Sequence, residues 1–290
     1  MAKTTINISI ELKEVTPHTM VANYKDYFDL NASAIALNNF IIVIDALVYP
    51  RQAKEFREYL EQKYNLPVKF LFITHFHGDH VYGMSSFKDV EIFGSVSLIK
   101  NMKERMNKSW TKEAFDDWKK NEPETAELVD EIEIIIPHNS FETKHVIVDK
   151  GLRVEFFHSG GHTECSSYAY FPDEKVLFSG DLIAAGFWPF ISDPKEDFEG
   201  WMKSFEHMLT LDIKSVIPGH GPVVGKDYIK EQLTFMTQLK TAVLKAISEG
   251  KAQEEVEIPT YSYEPAEDWQ IPRALEYLYY YYSKNKDLRY

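Results

Sequence analysis

The chain has 290 residues, of which 44% are hydrophobic, so it can bury a large core and a mainly disordered state is excluded. Its 45 acidic and 32 basic residues give a formal net charge of -13, which opposes binding to the phosphate backbone of a nucleic acid. A single cysteine, Cys165, cannot form an intramolecular disulfide, so we expect a cytoplasmic location.

No segment of the sequence has the pattern of a membrane or export element. The first residues lack the continuous apolar core of a secretory signal, and no apolar run approaches the length of a membrane span. We therefore expect no membrane partner.

Short apolar runs rich in Ile, Val and Phe alternate with helical patterns. The runs that predict buried strands are 40–44, 68–74, 153–157, 175–179 and 214–217. Helical patterns occupy 51–64 and 193–209, where Asp193 is the predicted cap and Pro194 suits the first turn. This mixture favours an α/β layered domain.

Two segments differ from this alternation. The charged segment 94–145 has a helical pattern with scattered large apolar residues and is interpreted as an insertion or lid. Beyond Gly225, an amphipathic helix extends to about Gly250 and is followed by a tyrosine-rich tail. We therefore expect a catalytic domain over 1–225, which contains the insertion, and a helical extension over 226–290 packed on the same domain.

Three imidazoles and a carboxylate follow the predicted strand 68–74 within six residues. They are His75, His77, Asp79 and His80. In an extended segment His75 and His77 share a face, and Gly78 permits a sharp turn towards a second position. Because imidazole and carboxylate groups are ligands for Zn, Fe or Mn, we interpret the cluster as a metal site rather than a chance group of histidines on a polar loop.

Three later residues supply further metal-ligating groups. His162, Asp181 and His220 each lie on a glycine-rich turn at the end of a predicted strand. Taken singly, each fits an ordinary hydrogen-bonded turn. Their occurrence together with the first cluster favours one shared site.

With these motifs the chain resembles the metallo-β-lactamase fold superfamily of hydrolases, in the branch of hydroxyacylglutathione hydrolases, lactonases and subclass B3-like lactamases. The similarity spans about residues 30 to 225 and implies a four-layer αββα sandwich. It implies one divalent cation on His75, His77 and His162, a second on Asp79, His80 and His220, and Asp181 bridging the two. Zinc is the expected ion, with iron or manganese as alternatives. Asp45 matches a family aspartate that supports the site from outside; the alternative is an ordinary acid at a strand end.

Sequence differences from other branches of the superfamily indicate which branch this chain resembles. Asp181 stands where subclass B1 lactamases have a cysteine ligand, and His77 stands where flavodiiron oxygen reductases have a glutamate. Cys165 lies three residues after His162, but the ligand set is complete without it. We therefore interpret Cys165 as a small buried residue.

The resemblance implies a dinuclear metal-dependent hydrolase in which a metal-bridging hydroxide attacks a small or medium ester, thioester, lactone or lactam. Asp79 is the candidate to orient the hydroxide and pass a proton to the leaving group. Tyr82 is the candidate to donate a hydrogen bond to the developing oxyanion, with packing as an equal alternative. We expect a small-molecule substrate in a groove walled by 94–145 and 187–190.

Other functions share parts of this pattern. A phosphodiesterase or nuclease uses the same His-x-His-x-Asp-His motif but is disfavoured by the acidic charge, and no nucleic acid partner is expected. A persulfide dioxygenase would hold a single iron, and a degenerate binding module would not need an intact ligand set.

The tyrosines at 277–282 predict a helix that packs on the domain or forms a homodimer contact. This interpretation is preferred to a binding platform. The remaining histidines are interpreted as polar or structural: His18, His138, His145, His158 and His207.

Overall fold

The computed structural model describes residues 7–191, 197–265 and 267–284. Its strands are β1 (Glu11–Thr16), β2 (Thr19–Tyr24), β3 (Leu30–Ala36), β4 (Ile41–Ile44), β5 (Val68–Phe72), β6 (Glu91–Ser95), β7 (Asn139–Phe141), β8 (Lys144–Asp149), β9 (Leu152–His158), β10 (Ser167–Phe171), β11 (Val176–Ala184) and β12 (Ser215–His220). Its α-helices are α1 (Pro50–Tyr64), α2 (Gly78–Val81), α3 (Val96–Met106), α4 (Lys112–Asn121), α5 (Ala126–Val129), α6 (Phe198–Thr210), α7 (Lys226–Ser248) and α8 (Gln270–Lys284). Among these helices, none is both long and apolar enough to cross a membrane.

The strands form two halves of a sheet that are paired with each other at one position only among the described residues. The first half has the order β7-β6-β5-β4-β3-β2-β1, and the second has the order β12-β11-β10-β9-β8. A single residue pair, His220 with Leu30, joins β12 to β3. Because β4 to β7 are parallel to one another, as are β11 and β12, the carboxyl ends of these strands gather at shared edges.

Apolar side chains fill three separate spaces between layers. Between the two halves of the sheet, Phe72 and Phe93 contact Phe156 at ring-centroid distances of 4.7 and 4.9 Å. On one outer face α1 and α3 cover the first half, and on the other α6, α7 and α8 cover the second. This helix–sheet–sheet–helix order confirms the predicted αββα sandwich.

The C-terminal helices pack on the second outer face. The predicted helix after Gly225 is present as α7, and the tyrosine-rich tail forms α8. Tyr282 is fully buried and its hydroxyl donates to Glu199 Oε1 of α6 at 2.7 Å, whereas Tyr280 is 64% exposed. Burial on one face of α8 therefore fits a helix that packs on the domain.

Several predicted boundaries were wrong for local physical reasons. The helix predicted over 193–209 has Asp197 as its cap, which accepts a hydrogen bond from the Gly200 backbone N–H; Asp193 and Pro194 lie outside the described residues. The strand predicted over 175–179 continues to Ala184, because its backbone stays paired with β12 beyond the bend at Gly180.

The segment 94–145 is helical only in its central part. Its first two residues complete β6, and its last part contributes β7 and the start of β8. Residues 139–141 have too few apolar side chains to predict a strand alone, and pairing with β6 creates the strand. The prediction of a uniformly helical insertion was therefore too broad.

A substitution of Phe156 tests the packing of the core between the two halves of the sheet. We expect Phe156→Ala to lower the free energy of unfolding by about 3–5 kcal/mol, because it removes a fully buried ring from contacts with both Phe72 and Phe93. Urea unfolding followed by circular dichroism measures the change. Val148→Ala is the control: its side chain is 63% exposed, so a change within about 0.5 kcal/mol is expected. Equal effects of the two substitutions would contradict the assignment of Phe156 to this core.

Candidate metal centre

The turn after β5 positions four of the predicted ligands. His75 and His77 lie on the chain beyond the end of β5, and His77 caps α2, whose first turn contains Asp79 and His80. A Cβ atom at position 78 would lie 2.2 Å from the Tyr82 ring, so the turn needs a glycine there. The sequence therefore bends sharply enough to direct ligands from both sides of Gly78 into one cavity.

The other three predicted ligands come from the second half of the sheet. His162 follows β9, Asp181 lies within β11, and His220 ends β12, the parallel neighbour of β11. Gly219 allows the approach of two of these strands, because a Cβ there would lie 1.9 Å from Asp181 Oδ1. Pairing between β11 and β12 thus brings residues 181 and 220 to the same edge.

The seven predicted ligands converge in two adjacent groups, within each of which the potential ligand atoms lie within 4.8 Å of one another. The first group is His75, His77, His162 and Asp181, and the second is Asp79, His80 and His220. Asp181 reaches into both, because its Oδ2 lies 3.4 Å from His75 Nε2 and its Oδ1 lies 3.1 Å from His80 Nε2. The arrangement matches two cation positions with one carboxylate between them.

Hydrogen bonds from outside the site orient four of the imidazoles. The Nδ1 atoms of His75, His80, His162 and His220 contact Thr74 Oγ1 (3.0 Å), Asp45 Oδ2 (2.9 Å), the Phe190 carbonyl (3.2 Å) and the Phe28 carbonyl (2.9 Å), respectively. Because each Nδ1 proton is held outside the cavity, each ring directs its Nε2 into the cavity, where that nitrogen can bind a cation once it carries no proton.

Asp45 connects two parts of this support. It has a left-handed backbone, with φ of 61°, and is almost fully buried. Its carboxylate accepts hydrogen bonds from the backbone N–H and the hydroxyl of Thr74, both at 2.8 Å, and from His80 Nδ1. The predicted supporting aspartate therefore holds one imidazole directly and a second through Thr74.

Two polar atoms at the centre lack protein hydrogen-bond partners. His80 Nε2 and Asp181 Oδ1 are buried without a hydrogen-bond partner among the described residues, although they lie 3.1 Å apart. Such unsatisfied groups are costly unless a further group binds them, and nitrogen and oxygen donors of these types fit Zn, Fe or Mn.

The two groups differ in their affinity for protons when no cation is bound. Burial, together with the charges of His75 and His162, lowers the pKa of His77 well below its usual value, and burial lowers the pKa of His162 to about 4. Burial opposes protonation of His220, but Asp181 and Asp79 outweigh it and raise its pKa to about 10. His77 and His162 therefore present neutral imidazoles, whereas a cation must displace a proton from His220.

The acidic ligands stay ionised despite burial. Burial alone would raise the pKa of Asp181, but the charges of His80 and His220 outweigh this effect and hold its pKa well below the usual value. The same two histidines outweigh burial at Asp79 and hold down its pKa. Both carboxylates are thus available to a cation.

A cavity of about 370 Å³ opens over the two groups. It is lined by Tyr27, Phe28, His77, Gly78, Asp79, His162, Asp181, Ala184, Phe187, Trp188, Phe190, His220, Glu267, Trp269 and Gln270. The predicted wall over 187–190 is present. Sequence reasoning missed the walls from Tyr27 and Phe28 and from residues 267–270, because exposed aromatic residues in loops carry no periodic pattern.

The prediction that 94–145 walls this cavity was wrong, since its residues lie elsewhere. Trp110, Phe115 and Trp118 instead surround the Tyr82 ring at centroid distances of 6.1, 5.7 and 5.8 Å. Burial raises the pKa of Tyr82 to about 12. This placement on the far side of Gly78 fits the packing alternative for Tyr82 rather than contact with a substrate.

The remaining candidates lie outside both groups of ligands. Cys165 is fully buried, with its sulfur 3.4 Å from Thr163 Oγ1, as expected for a small buried residue. Trp188 is largely buried against Phe235 but borders the cavity. The histidines interpreted as structural also lie outside the groups: His18, His138, His145, His158 and His207.

Known proteins are similar to this chain at low sequence identity. A "Metallo-beta-lactamase type 2" from Bacillus sp. (strain 170) is 24% identical over 237 residues, which cover 80% of this chain and 82% of the relative. A "Beta-lactamase-like protein 2 homolog" from Caenorhabditis elegans is 25% identical over 188 residues, which cover 64% of this chain and 54% of the relative.

A solved structure supports the same fold. The metallo-beta-lactamase from Pontibacter korlensis superposes with a TM-score of 0.63 at 18% identity, covering 79% of this chain and 99% of that one. The sequence profile described as "Metallo-beta-lactamase superfamily" matches residues 28–220, a span that contains all seven predicted ligands. The chain therefore belongs to the metallo-beta-lactamase superfamily of metal-dependent hydrolases.

Proposed function

We propose that this protein is a dinuclear metal-dependent hydrolase of small or medium esters, thioesters, lactones or lactams. The observation that carries the proposal is the placement of Asp181 between two groups of converging imidazoles, where His80 Nε2 and Asp181 Oδ1 are buried without a hydrogen-bond partner among the described residues. The branch of hydroxyacylglutathione hydrolases, lactonases and subclass B3-like lactamases remains our prediction for its place in the superfamily.

Each residue has a role in this proposal. His75, His77 and His162 would hold one cation, Asp79, His80 and His220 would hold the other, and Asp181, which lies between the two groups, would be shared. Two bound divalent cations would supply hydroxide at neutral pH by lowering the pKa of water, and would polarise the carbonyl that it attacks. Zinc is the ion that we propose, because the ligands are nitrogen and oxygen atoms and hydrolysis needs no redox change.

We assign the proton transfer of the reaction to Asp79. Its Oδ2 lies 3.2 Å from His220 Nε2, and the residue lines the cavity. Addition of water to the carbonyl carbon and cleavage of the bond to oxygen, sulfur or nitrogen leave one proton for the departing group. A carboxylate at this position can accept that proton from the attacking water and pass it to the leaving group. We assign no step to Tyr82.

The first test is metal content together with hydrolysis. We expect about two zinc ions per chain by elemental analysis, hydrolysis within a panel of p-nitrophenyl esters, thioesters, lactones and nitrocefin, and loss of activity with a chelator that added zinc restores. Bis(p-nitrophenyl) phosphate and an oxygen electrode provide the contrasting assays. A single iron with oxygen uptake, or cleavage of the phosphodiester alone, would contradict the proposal.

Asp181→Ala tests the shared carboxylate. We expect loss of at least one cation and a fall in kcat/KM of more than about 100-fold, because removing a direct ligand should exceed the effect of removing an outer partner. Circular dichroism should show a folded protein. Asp130→Ala is the matched control, since its carboxylate is 63% exposed and pairs with Lys119. Two bound zinc ions and full activity in Asp181→Ala would refute the assignment.

Asp45→Asn tests support from outside the ligand set. We expect zinc affinity at the second position to fall by about 10- to 100-fold, because an amide no longer accepts all three hydrogen bonds that orient His80 and Thr74. Competition with a chromogenic chelator measures the affinity. Asp149→Asn is the control for substitution of a buried aspartate, because Asp149 accepts from the Asn39 backbone away from the site. Unchanged zinc affinity in Asp45→Asn would count against this role.

A further inference from the structure

The cavity wall farthest from the family's matched region comes from the C-terminal extension. Glu267, Trp269 and Gln270 border the cavity, although the superfamily profile ends at residue 220. Trp269 packs edge-on against Phe190, with ring centroids 5.4 Å apart and planes at 80°. Trp269 and Phe190 keep 43% and 37% of their surface exposed, which is unusual for large aromatic residues that line a concave site.

This aromatic pair adjoins the predicted metal ligands. The Phe190 ring lies 5.9 Å from the ring of His162, and the Phe190 carbonyl accepts a hydrogen bond from the same imidazole. Phe190 therefore has a fixed position relative to the first group of ligands. A substrate whose carbonyl lies between the two groups would extend its attached group along Phe190 towards Trp269.

Neighbouring residues at the start of α8 position Trp269. The Gln270 side chain accepts from the Glu267 backbone N–H at 3.1 Å, and the Arg273 guanidinium lies 6.0 Å from the centre of the Trp269 ring. Gln270 begins α8, whose buried face packs on the domain. The Trp269 backbone carbonyl accepts a hydrogen bond from the Arg273 N–H at 3.1 Å, so the residue has a defined place at the start of α8.

The charges of the cavity restrict the substrate further. Beyond the predicted metal ligands, Glu267 is the charged residue among the described lining side chains, none of which is a lysine or arginine. The Arg273 guanidinium lies over the Trp269 ring and is not among these lining residues. A carboxylate on the substrate would therefore lose water beside Glu267 without a cationic partner from the described lining. The aromatic pair thus suits an uncharged, apolar group.

We propose, on the basis of the proposed function, that Phe190 and Trp269 form a specificity subsite for an uncharged apolar group next to the scissile carbonyl. The enzyme then prefers substrates with a medium-length aliphatic or aromatic acyl group over short ones and over those with a terminal carboxylate.

The test uses the zinc-loaded protein and three esters. They are p-nitrophenyl acetate, p-nitrophenyl hexanoate and the mono-p-nitrophenyl ester of adipic acid, which has the hexanoate length with a terminal carboxylate. We expect kcat/KM for the hexanoate to exceed that for each of the others by about tenfold or more. Trp269→Ala should reduce the preference of hexanoate over acetate by about tenfold, mainly through a higher KM for the hexanoate.

Two further variants distinguish loss of a subsite from a general effect of substitution on activity. Trp269→Phe should retain most of the preference, because it keeps an aromatic face. Tyr280→Ala removes an exposed aromatic ring from α8 and should leave both esters unaffected, since Tyr280 is absent from the cavity lining. If no ester, thioester, lactone or lactam is hydrolysed by the zinc-loaded wild type, the proposed function fails. If the wild type is active but its preference persists in Trp269→Ala, or falls equally in Tyr280→Ala, the subsite is refuted.

Discussion

The rest of the site depends on the contacts between the Asp181 carboxylate and the five imidazoles around it. The carboxylate lies within 3.6 Å of ring nitrogens from His75, His80, His162 and His220. Together with Asp79 it gives the cluster two negative charges, and burying such charges costs several kcal/mol each unless a partner compensates them. Without a cation the compensation comes from protons on the second group of histidines, which is why the pKa of His220 is raised. Two divalent cations would compensate the same charges more completely.

The fold explains how ligands so distant in sequence reach one carboxylate. Each half of the sheet delivers ligands from the carboxyl ends of its strands, and the halves touch through His220 and Leu30, at the centre itself. The Phe28 carbonyl, in the turn between β2 and β3, then orients the His220 ring. The inter-sheet core around Phe156 therefore supports the site as well as the fold.

The convergence of the seven predicted ligands could be predicted from the sequence, because their segments follow predicted strands and contain glycines that permit a tight approach. Gly78 and Gly219 are such cases, and a Cβ atom at either would collide with the site or its neighbours. The strands β4, β5, β9, β11 and β12 were also predictable from runs of apolar residues. Strand β3 was not, because its alternating small residues, LNASAIA, carry little hydrophobic signal and become buried only through pairing on both sides. The cavity wall over 187–190 was predicted, but the walls from Tyr27 and Trp269 were not, since these residues meet the site only through tertiary packing.

Phe190 shows why binding and metal ligation cannot be separated cleanly in this protein. Its carbonyl holds the imidazole of His162, while its ring forms one side of the aromatic pair with Trp269. A substitution of the ring leaves the carbonyl in the chain but removes the packing that keeps the backbone in place, so it can disturb the ligand as well as the wall. Trp269 has no such link to a ligand through a hydrogen bond among the described residues. For this reason, changes at Trp269 report on recognition of the substrate, whereas changes at Phe190 combine recognition with support of the first cation position.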